Sequence, residues 1–283
     1  MEKTIPTSHC NLAVSITTPE PSGSAQPDTI PLLFIHGNSS CKEVFKQQMA
    51  DLAKDHQCIA IDLPGHGQSQ NATDPATTYC MAGYADAILQ AMQALAVNEF
   101  YVVGWSLGGH IGIEMMSQSP AVKGLLISGT PPVGHNPEDM ANAFLPSEHM
   151  ALTAQEILSE AEADSYARAT CGTTANYESF LGEAVRRTDG RARRMMMESA
   201  MRGEGVDQRN MVETDPRPVA VVNGADEPMI NNQYLLDLKF KNLSGGTVNL
   251  IPGSGHAPFW DSPDRFNKLL RAHVSGIPLQ IQE

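Results

Sequence analysis

The stretch that decides the fold is Phe100–Gly109, which reads FYVVGWSLGG. Its first part, Phe100–Val103, is aliphatic and aromatic and predicts a buried strand, whereas Gly109–Gln118 predicts a helix. Between them stands Gly-x-Ser-x-Gly, with Ser106 as its serine. The three fixed positions alone carry little weight, but the order strand, tight turn, helix is typical of a nucleophile elbow. In such an elbow a strained turn exposes the serine hydroxyl, and the glycines leave room for the backbone. We therefore predict that Ser106 is a nucleophile.

Outward from the elbow, short apolar runs alternate with amphipathic segments. Runs of four to seven apolar residues without internal alternation are typical of strands buried on both faces of a parallel sheet. The pattern therefore predicts a doubly wound α/β fold with a mostly parallel sheet. The other predicted strands are Leu12–Ile16, Leu32–Ile35, Cys58–Ile61, Val122–Ser128, Pro218–Val222 and Thr247–Ile251. The other predicted helices of this part are Val44–Leu52, Tyr84–Leu95 and one from Pro263 to about Val274.

The alternation stops after Pro132 and resumes near residue 213. Residues 133–212 contain no good strand candidate, so we predict a helical cap inserted between two strands of a core made of residues 1–132 and 213–283. The methionines Met195–Met197 and Met201 fall in this cap, and packing is the favoured interpretation over a ligand-facing lining. The predicted cap helices are Glu138–Phe144, Thr153–Ala163, Tyr177–Arg187 and Arg191–Arg202.

Composition excludes several classes of partner. With 19 basic and 32 acidic residues the net charge is −13, which disfavours nucleic acid and anionic membrane surfaces and favours a neutral small molecule. The N-terminal residues lack the apolar core of a signal peptide, and no run has the length of a membrane span. Five scattered cysteines indicate a reduced, cytoplasmic protein. No histidine cluster of metal-binding spacing is present, so we expect neither a metal nor another cofactor.

Two loops supply partners for the serine. A serine hydroxyl needs a base to remove its proton, and the base needs an acid to orient it. Elbow hydrolases carry these groups in the order serine, acid, histidine. The predicted strand ending at Val222 is followed by Asp226 and Glu227, and the last predicted strand is followed by His256. Either acid could complete a triad with Ser106 and His256. His110, one turn into the helix after the elbow, is interpreted as a packing residue.

Three further motifs resemble the α/β-hydrolase superfamily, and the resemblance covers nearly the whole chain. They are His36-Gly37-Asn38, Asp62-Leu63-Pro64-Gly65-His66-Gly67-Gln68-Ser69, and Gly255-His256 followed by Asp261, Pro263 and Phe266. The superfamily places its acid three residues after the glycine that closes the strand, which is Gly224 in this chain. The resemblance therefore implies Glu227 as the acid and leaves Asp226 as the alternative. It also implies an oxyanion hole formed by the backbone N–H groups of Asn38 and Leu107.

A closer resemblance concerns the metal-independent N-acyl-homoserine lactonases of that superfamily. It is carried by Gly104–Met115, Gly129–Val133, Ser165–Arg168, Arg187–Arg194 and Asn223–Pro228. The resemblance implies a quorum-quenching enzyme that opens the lactone ring, with no metal or other cofactor. Its implied substrate-binding residues are Asn38, Trp105 and Tyr166. For Tyr166 the alternative is a strut between cap helices, and for Trp105 it is a place in the core.

Other functions remain as alternatives. Within enzymes, the same triad could serve a general carboxylesterase or an acylase that cleaves the amide of the same molecule. Outside enzymes, α/β-hydrolase folds can act as ligand receptors. The sequence implies one small-molecule partner and makes no prediction of acyl-chain length or oligomeric state.

Overall fold

The described residues of the computed structural model, 1–19, 29–171 and 176–276, contain one eight-stranded sheet. The strands are β1 (Glu2–Pro6), β2 (Asn11–Thr17), β3 (Leu32–Ile35), β4 (Cys58–Ile61), β5 (Phe100–Trp105), β6 (Val122–Ser128), β7 (Val219–Gly224) and β8 (Asn249–Ile251). They lie side by side in the order β1-β2-β4-β3-β5-β6-β7-β8. The pairs β1–β2 and β2–β4 are antiparallel and the others are parallel, which confirms the predicted, mostly parallel α/β sheet.

The central strands carry apolar side chains on both faces. In β3, Leu33 lies opposite Ile59 and Val102 in the sheet register and packs with them on one face. The next residue, Phe34, packs on the other face with Val103. Since successive residues of a strand face opposite sides, a strand covered by helices on both sides shows no polar alternation in its sequence.

Helices cover both faces of the sheet. Helices α3 (Met81–Ala94) and α4 (Leu107–Gln118) pack on one face through residues such as Tyr84 and Ile111. Helices α1 (Lys46–Leu52) and α12 (Pro263–Ser275) pack on the other face through Leu52 and Phe266. No helix in the described part of the chain is long and apolar enough to cross a membrane. The helices are α1 (Lys46–Leu52), α2 (Pro75–Thr78), α3 (Met81–Ala94), α4 (Leu107–Gln118), α5 (Pro137–Ala143), α6 (Glu160–Thr170), α7 (Ser179–Arg187), α8 (Gly190–Met201), α9 (Gln208–Thr214), α10 (Asn232–Asp237), α11 (Pro258–Asp261) and α12 (Pro263–Ser275).

The helices α5 to α9 form an insertion between two neighbouring strands. They follow β6 and precede β7, and within the described residues no strand interrupts them. Because β6 and β7 pair directly in the sheet, the inserted helices leave the sheet order undisturbed. This segment corresponds to the predicted cap, whose boundaries at 133 and 212 stay a prediction.

Strand β1, the helices α2, α9, α10 and α11, and the start of α6 were not predicted as the structure has them. Strand β1 was not predicted, because only Ile5 of its five residues is buried and no apolar pattern marks this edge strand. The helix predicted over Thr153–Ala163 is wrong, since α6 begins only after Ser159. Ser159 and Glu162 form a capping box there, in which each side chain accepts from the other residue's backbone N–H. That Ser-x-x-Glu pattern is a helix start signal, and it places the boundary correctly.

Candidate active site

Ser106 occupies a sharp turn between β5 and α4. Its backbone angles are φ +53° and ψ −118°, which a residue with a side chain adopts only under tertiary constraint. The glycines of the motif permit the close crossing that supplies this constraint. A methyl group on Gly104 would collide with the carbonyl of Gly108, and one on Gly108 would collide with the carbonyl of Ile35 at the end of β3. The turn leaves Ser106 partly exposed in the wall of a cavity.

The loops after β7 and β8 bring an acid and a base together beside this cavity. His256 Nδ1 lies 2.9 Å from both carboxylate oxygens of Glu227, and both side chains are buried. The ionised Glu227 carboxylate can only accept, so Nδ1 carries the proton of this bond, and in the neutral imidazole the lone pair is then on Nε2. Asp226 is exposed and, in the described part of the chain, has no hydrogen bond or ion pair with the imidazole. Of the two candidate acids, the structure therefore brings only Glu227 to the base.

Ser106 and His256 share the cavity without a direct hydrogen bond. Ser106 and His256 both line it, and among the described residues neither Ser106 Oγ nor His256 Nε2 has a hydrogen-bond partner. Catalytic hydrogen bonds of this kind are often formed only when substrate is bound. The arrangement fits a base whose Nε2 is free to take the serine proton.

Two backbone N–H groups beside Ser106 are free to bind an oxyanion. Leu107 is the first residue of α4, so its N–H has no partner within the helix. The N–H of Asn38, in the loop after β3, likewise has no hydrogen-bond partner in the described part of the chain. Both residues line the cavity next to Ser106. The positive end of α4 adds to the attraction for negative charge at this point.

The loop that carries Asn38 is held by the cap. Asn38 Nδ2 donates to the carbonyl of Thr153 at 2.9 Å, and Ser39 Oγ donates to Asn38 Oδ1 at 3.2 Å. Arg193, on α8 and only 4% exposed, donates from Nη1 to Ser39 Oγ at 3.2 Å. The same guanidinium also donates to the carbonyls of residues 155, 156 and 185. Sequence reasoning assigned Arg193 no role of its own, because one arginine in a basic motif gives no sign of burial.

The cavity has a volume of about 330 Å³, and its wall is largely apolar. It lies between the elbow and the cap, since core and cap helices both contribute to it. The cap methionines do both: Met195 and Met196 pack in the core, as expected, and Met196, Met197 and Met201 also line the cavity. Flexible thioethers suit an irregular apolar ligand such as an acyl chain. The methionines of the wall include Met140, Met150, Met196, Met197, Met201 and Met229.

Tyr166 and Trp105 have different places in the structure. Tyr166, on α6, lines the cavity, and among the described residues its hydroxyl has no hydrogen-bond partner. Burial raises the pKa of Tyr166 well above its usual value, so the hydroxyl stays protonated and can donate. Trp105 does not line the cavity. It is 2% exposed, contacts Phe259, and donates from Nε1 to the carbonyl of His256 at 2.9 Å. These contacts fit the alternative interpretation of Trp105, a place in the core, beside His256.

Metal ligands were not expected from the sequence. Within residues 1–19, 29–171 and 176–276, no group of three or more histidine, cysteine, aspartate or glutamate side chains is placed to hold a metal ion.

The elbow, the two loops and the sheet order together define the α/β-hydrolase class. A family model described as "alpha/beta hydrolase fold" matches residues 30–263. The chain belongs to this family.

The chain is similar to an enzyme of known activity. A crystal structure of the N-acyl homoserine lactonase AidH in complex with N-butanoyl homoserine is 42% identical, with a TM-score of 0.91 over 100% of both chains. A mutant of AidH in complex with N-hexanoyl homoserine lactone gives the same identity and TM-score, over 98% of this chain and 99% of that chain. The similarity therefore extends through the cap as well as the core.

Curated relatives are more distant. A protein of Mycobacterium tuberculosis without assigned function is 28% identical over 83% of this chain and 72% of its own length. The pimeloyl-[acyl-carrier protein] methyl ester esterase of Nitrosospira multiformis is 21% identical over 83% of this chain and 90% of its own length.

Proposed function

We propose that this protein is a serine hydrolase that opens the lactone ring of N-acyl homoserine lactones. The observation that carries the proposal is the full-length similarity to AidH, 42% identical with a TM-score of 0.91. It is supported by an apolar cavity of about 330 Å³ in whose wall Ser106 and His256 both lie. Lactone opening removes such a molecule as a signal, so quorum quenching is the physiological role that we propose.

The first half of the reaction forms an acyl-enzyme. Ser106 Oγ attacks the lactone carbonyl while His256 Nε2 takes the serine proton, and Glu227 stabilises the resulting imidazolium. The carbonyl oxygen becomes an oxyanion and accepts hydrogen bonds from the N–H groups of Leu107 and Asn38. The ring C–O bond then breaks, and His256 protonates the leaving alkoxide. That hydroxyl remains attached to the acyl-enzyme because the ester was cyclic.

The second half releases the product. A water molecule gives its proton to His256 and attacks the ester to Ser106, and collapse of the second tetrahedral intermediate returns the proton to Ser106 Oγ. One water is consumed for each ring opened, and N-acyl homoserine is released. The product is an anion, whereas the substrate is neutral. A protein of net charge −13 therefore disfavours rebinding of its product relative to substrate.

Tyr166 supplies a donor from the cap. Its protonated hydroxyl lies in the cavity wall without a partner among the described residues, so it can donate to the lactone or amide oxygen of the substrate. Asn38 contributes through its backbone N–H, because its side-chain amide is already bound to Thr153.

A general carboxylesterase is the second candidate, and the similarity to a methyl ester esterase favours it.

The decisive experiment is mass spectrometry of the product formed from N-hexanoyl homoserine lactone. A gain of one water supports the lactonase, and free homoserine lactone would instead indicate an acylase. If the lactone is not turned over but simple esters are cleaved rapidly, the esterase is supported. If neither the lactone nor simple esters are cleaved, a receptor is indicated. Ser106→Ala is the control and should abolish turnover.

A further inference from the structure

His110 and Gln208 form a polar pair in the largely apolar cavity wall. His110 lies on α4 four residues after Ser106, and Gln208 is the first residue of α9. Nδ1 of His110 lies 2.7 Å from Oε1 of Gln208. Both residues line the cavity that holds Ser106 and His256. The proposed mechanism uses neither of them.

Each member of the pair keeps one unused polar atom. Nε2 of His110 and Nε2 of Gln208 have no hydrogen-bond partner among the described residues. Two other polar side chains of the wall are already engaged: Thr170 Oγ1 donates to the carbonyl of Tyr166, and Glu204 accepts from Ser199 and Arg202. A polar atom without a partner in an apolar cavity is costly unless a ligand or water satisfies it. The pair therefore offers a specific place for a polar group of a ligand.

The hydrogen bond within the pair determines what each unused atom can do. Because Gln208 Oε1 only accepts, His110 Nδ1 must carry the proton of the bond. Burial lowers the pKa of His110 by more than the bond to Gln208 raises it, so the ring is neutral and Nε2 is an acceptor. The amide nitrogen of Gln208 is a donor. A hydroxyl group can donate to the first and accept from the second, whereas a ketone can only accept and a methylene does neither.

The position along the helix agrees with a site on the acyl chain. An α-helix rises 1.5 Å per residue, so His110 lies about 6 Å along α4 from Ser106. In an N-acyl homoserine lactone the third acyl carbon is separated from the attacked carbonyl by a chain of bonds that spans roughly 6 Å when extended. A substituent on that carbon is therefore within reach of the pair when the carbonyl is at Ser106 and the acyl chain runs along α4.

We propose that His110 and Gln208 recognise a hydroxyl group on the acyl chain, so that N-(3-hydroxyacyl) homoserine lactones are the preferred substrates. This inference rests on the proposed lactonase function. The pair acts as a specificity determinant and takes no part in bond breaking. The order of preference should be 3-hydroxy, then 3-oxo, then unsubstituted chains.

The test compares three lactones of equal chain length: N-hexanoyl, N-(3-oxohexanoyl) and N-(3-hydroxyhexanoyl) homoserine lactone. For the wild type we expect kcat/KM to be about tenfold higher for the hydroxy compound than for the plain one, as two modest hydrogen bonds would give. Gln208→Met and His110→Met should each reduce this ratio by about three- to tenfold. Gln233→Met is the matched control, because Gln233 is exposed on α10 outside the cavity. The ratio of kcat/KM between the hydroxy and plain lactones should be the same in this variant as in the wild type.

The outcomes separate this inference from the proposed function. If lactones are hydrolysed but the ratio is the same in the wild type and both variants, the inference is wrong and the lactonase function stands. If no lactone is hydrolysed, the lactonase function is wrong, and Kd values measured in a Ser106→Ala background decide the inference without turnover. Equal Kd values for the hydroxy and plain lactones, or no binding of either, would overturn it. Should Gln208→Met fail to fold, as judged by its Tm, His110→Met carries the test.

Discussion

Arg193 of the cap donates from Nη1 to Ser39 Oγ of the oxyanion loop at 3.2 Å, across 154 positions of the sequence. Ser39 has a positive φ of +57° and donates in turn to the side chain of Asn38. The loop of Asn38, whose N–H we propose for the oxyanion hole, is therefore held in a strained conformation by a buried guanidinium from the cap. The position of the cap and the geometry of the proposed oxyanion hole are therefore linked through Arg193, in addition to the bond from Asn38 to Thr153.

Loss of that link should affect both stability and catalysis. Arg193→Met leaves three backbone carbonyls and Ser39 without their donor, and we expect the free energy of unfolding to fall by about 2–4 kcal/mol. The loosened oxyanion loop should lower kcat by about ten- to a hundredfold with a smaller change in KM. Arg194→Met is the control, since Arg194 is partly exposed and pairs only with surface glutamates. It should leave kcat and Tm nearly unchanged. A loss of stability without a loss of kcat in Arg193→Met would contradict the link.

The acid of the triad can be tested by two neighbouring substitutions. Glu227→Gln removes the charge that fixes and stabilises the imidazole, and we expect kcat to fall by about 10³- to 10⁴-fold. Asp226→Asn changes an exposed side chain away from His256 and should alter kcat by less than about threefold. Steady-state kinetics on one lactone is the measurement. The reverse order of severity would show that Asp226 is the acid.

Gly129 should be required for the position of the base. Its φ is +60°, and a methyl group there would lie 2.7 Å from Cε1 of His256. Gly129→Ala should therefore displace the imidazole and lower kcat by at least about tenfold. Gly276→Ala is the matched control: φ is +64°, and nothing in the described structure lies within 4 Å of the added methyl group. Both variants should lose about 1 kcal/mol to backbone strain, but only Gly129→Ala should lose kcat.

The hydroxyl of Tyr166 is expected to contribute one hydrogen bond to the substrate. Tyr166→Phe keeps the ring packing, so kcat/KM for the lactone should fall by roughly three- to fifteenfold while Tm changes little. A simple acyl ester, which lacks the lactone and the amide, should lose less activity. Equal losses on both substrates together with a lower Tm would instead assign Tyr166 the role of a strut between cap helices.

Hydrolysis is expected to be independent of metal. The proposed triad needs no Lewis acid, because the serine is activated by His256 and the oxyanion is bound by N–H groups. Dialysis against EDTA should therefore leave the rate of lactone hydrolysis unchanged. A rate that falls on dialysis and returns with added zinc would contradict a serine mechanism, as would full activity in Ser106→Ala.

The sequence by itself determined the features that depend on neighbouring residues. The order of strands and helices follows from short apolar runs, and the position of Ser106 follows from two glycines between a strand and a helix. Even where a prediction was wrong, as at the start of α6, a local signal was present in Ser159 and Glu162. These features are encoded within a few positions, so the chain read alone is sufficient to locate them.

Only the tertiary structure decided the features that depend on residues far apart in the chain. It selected Glu227 over its neighbour as the partner of His256, placed Trp105 in the core, and turned cap methionines toward the cavity. It also joined His110 to Gln208 and Arg193 to Ser39 across about a hundred residues or more. The physical reason is that burial and hydrogen-bond partners depend on how the cap packs over the core. No periodicity or spacing within one segment records that packing.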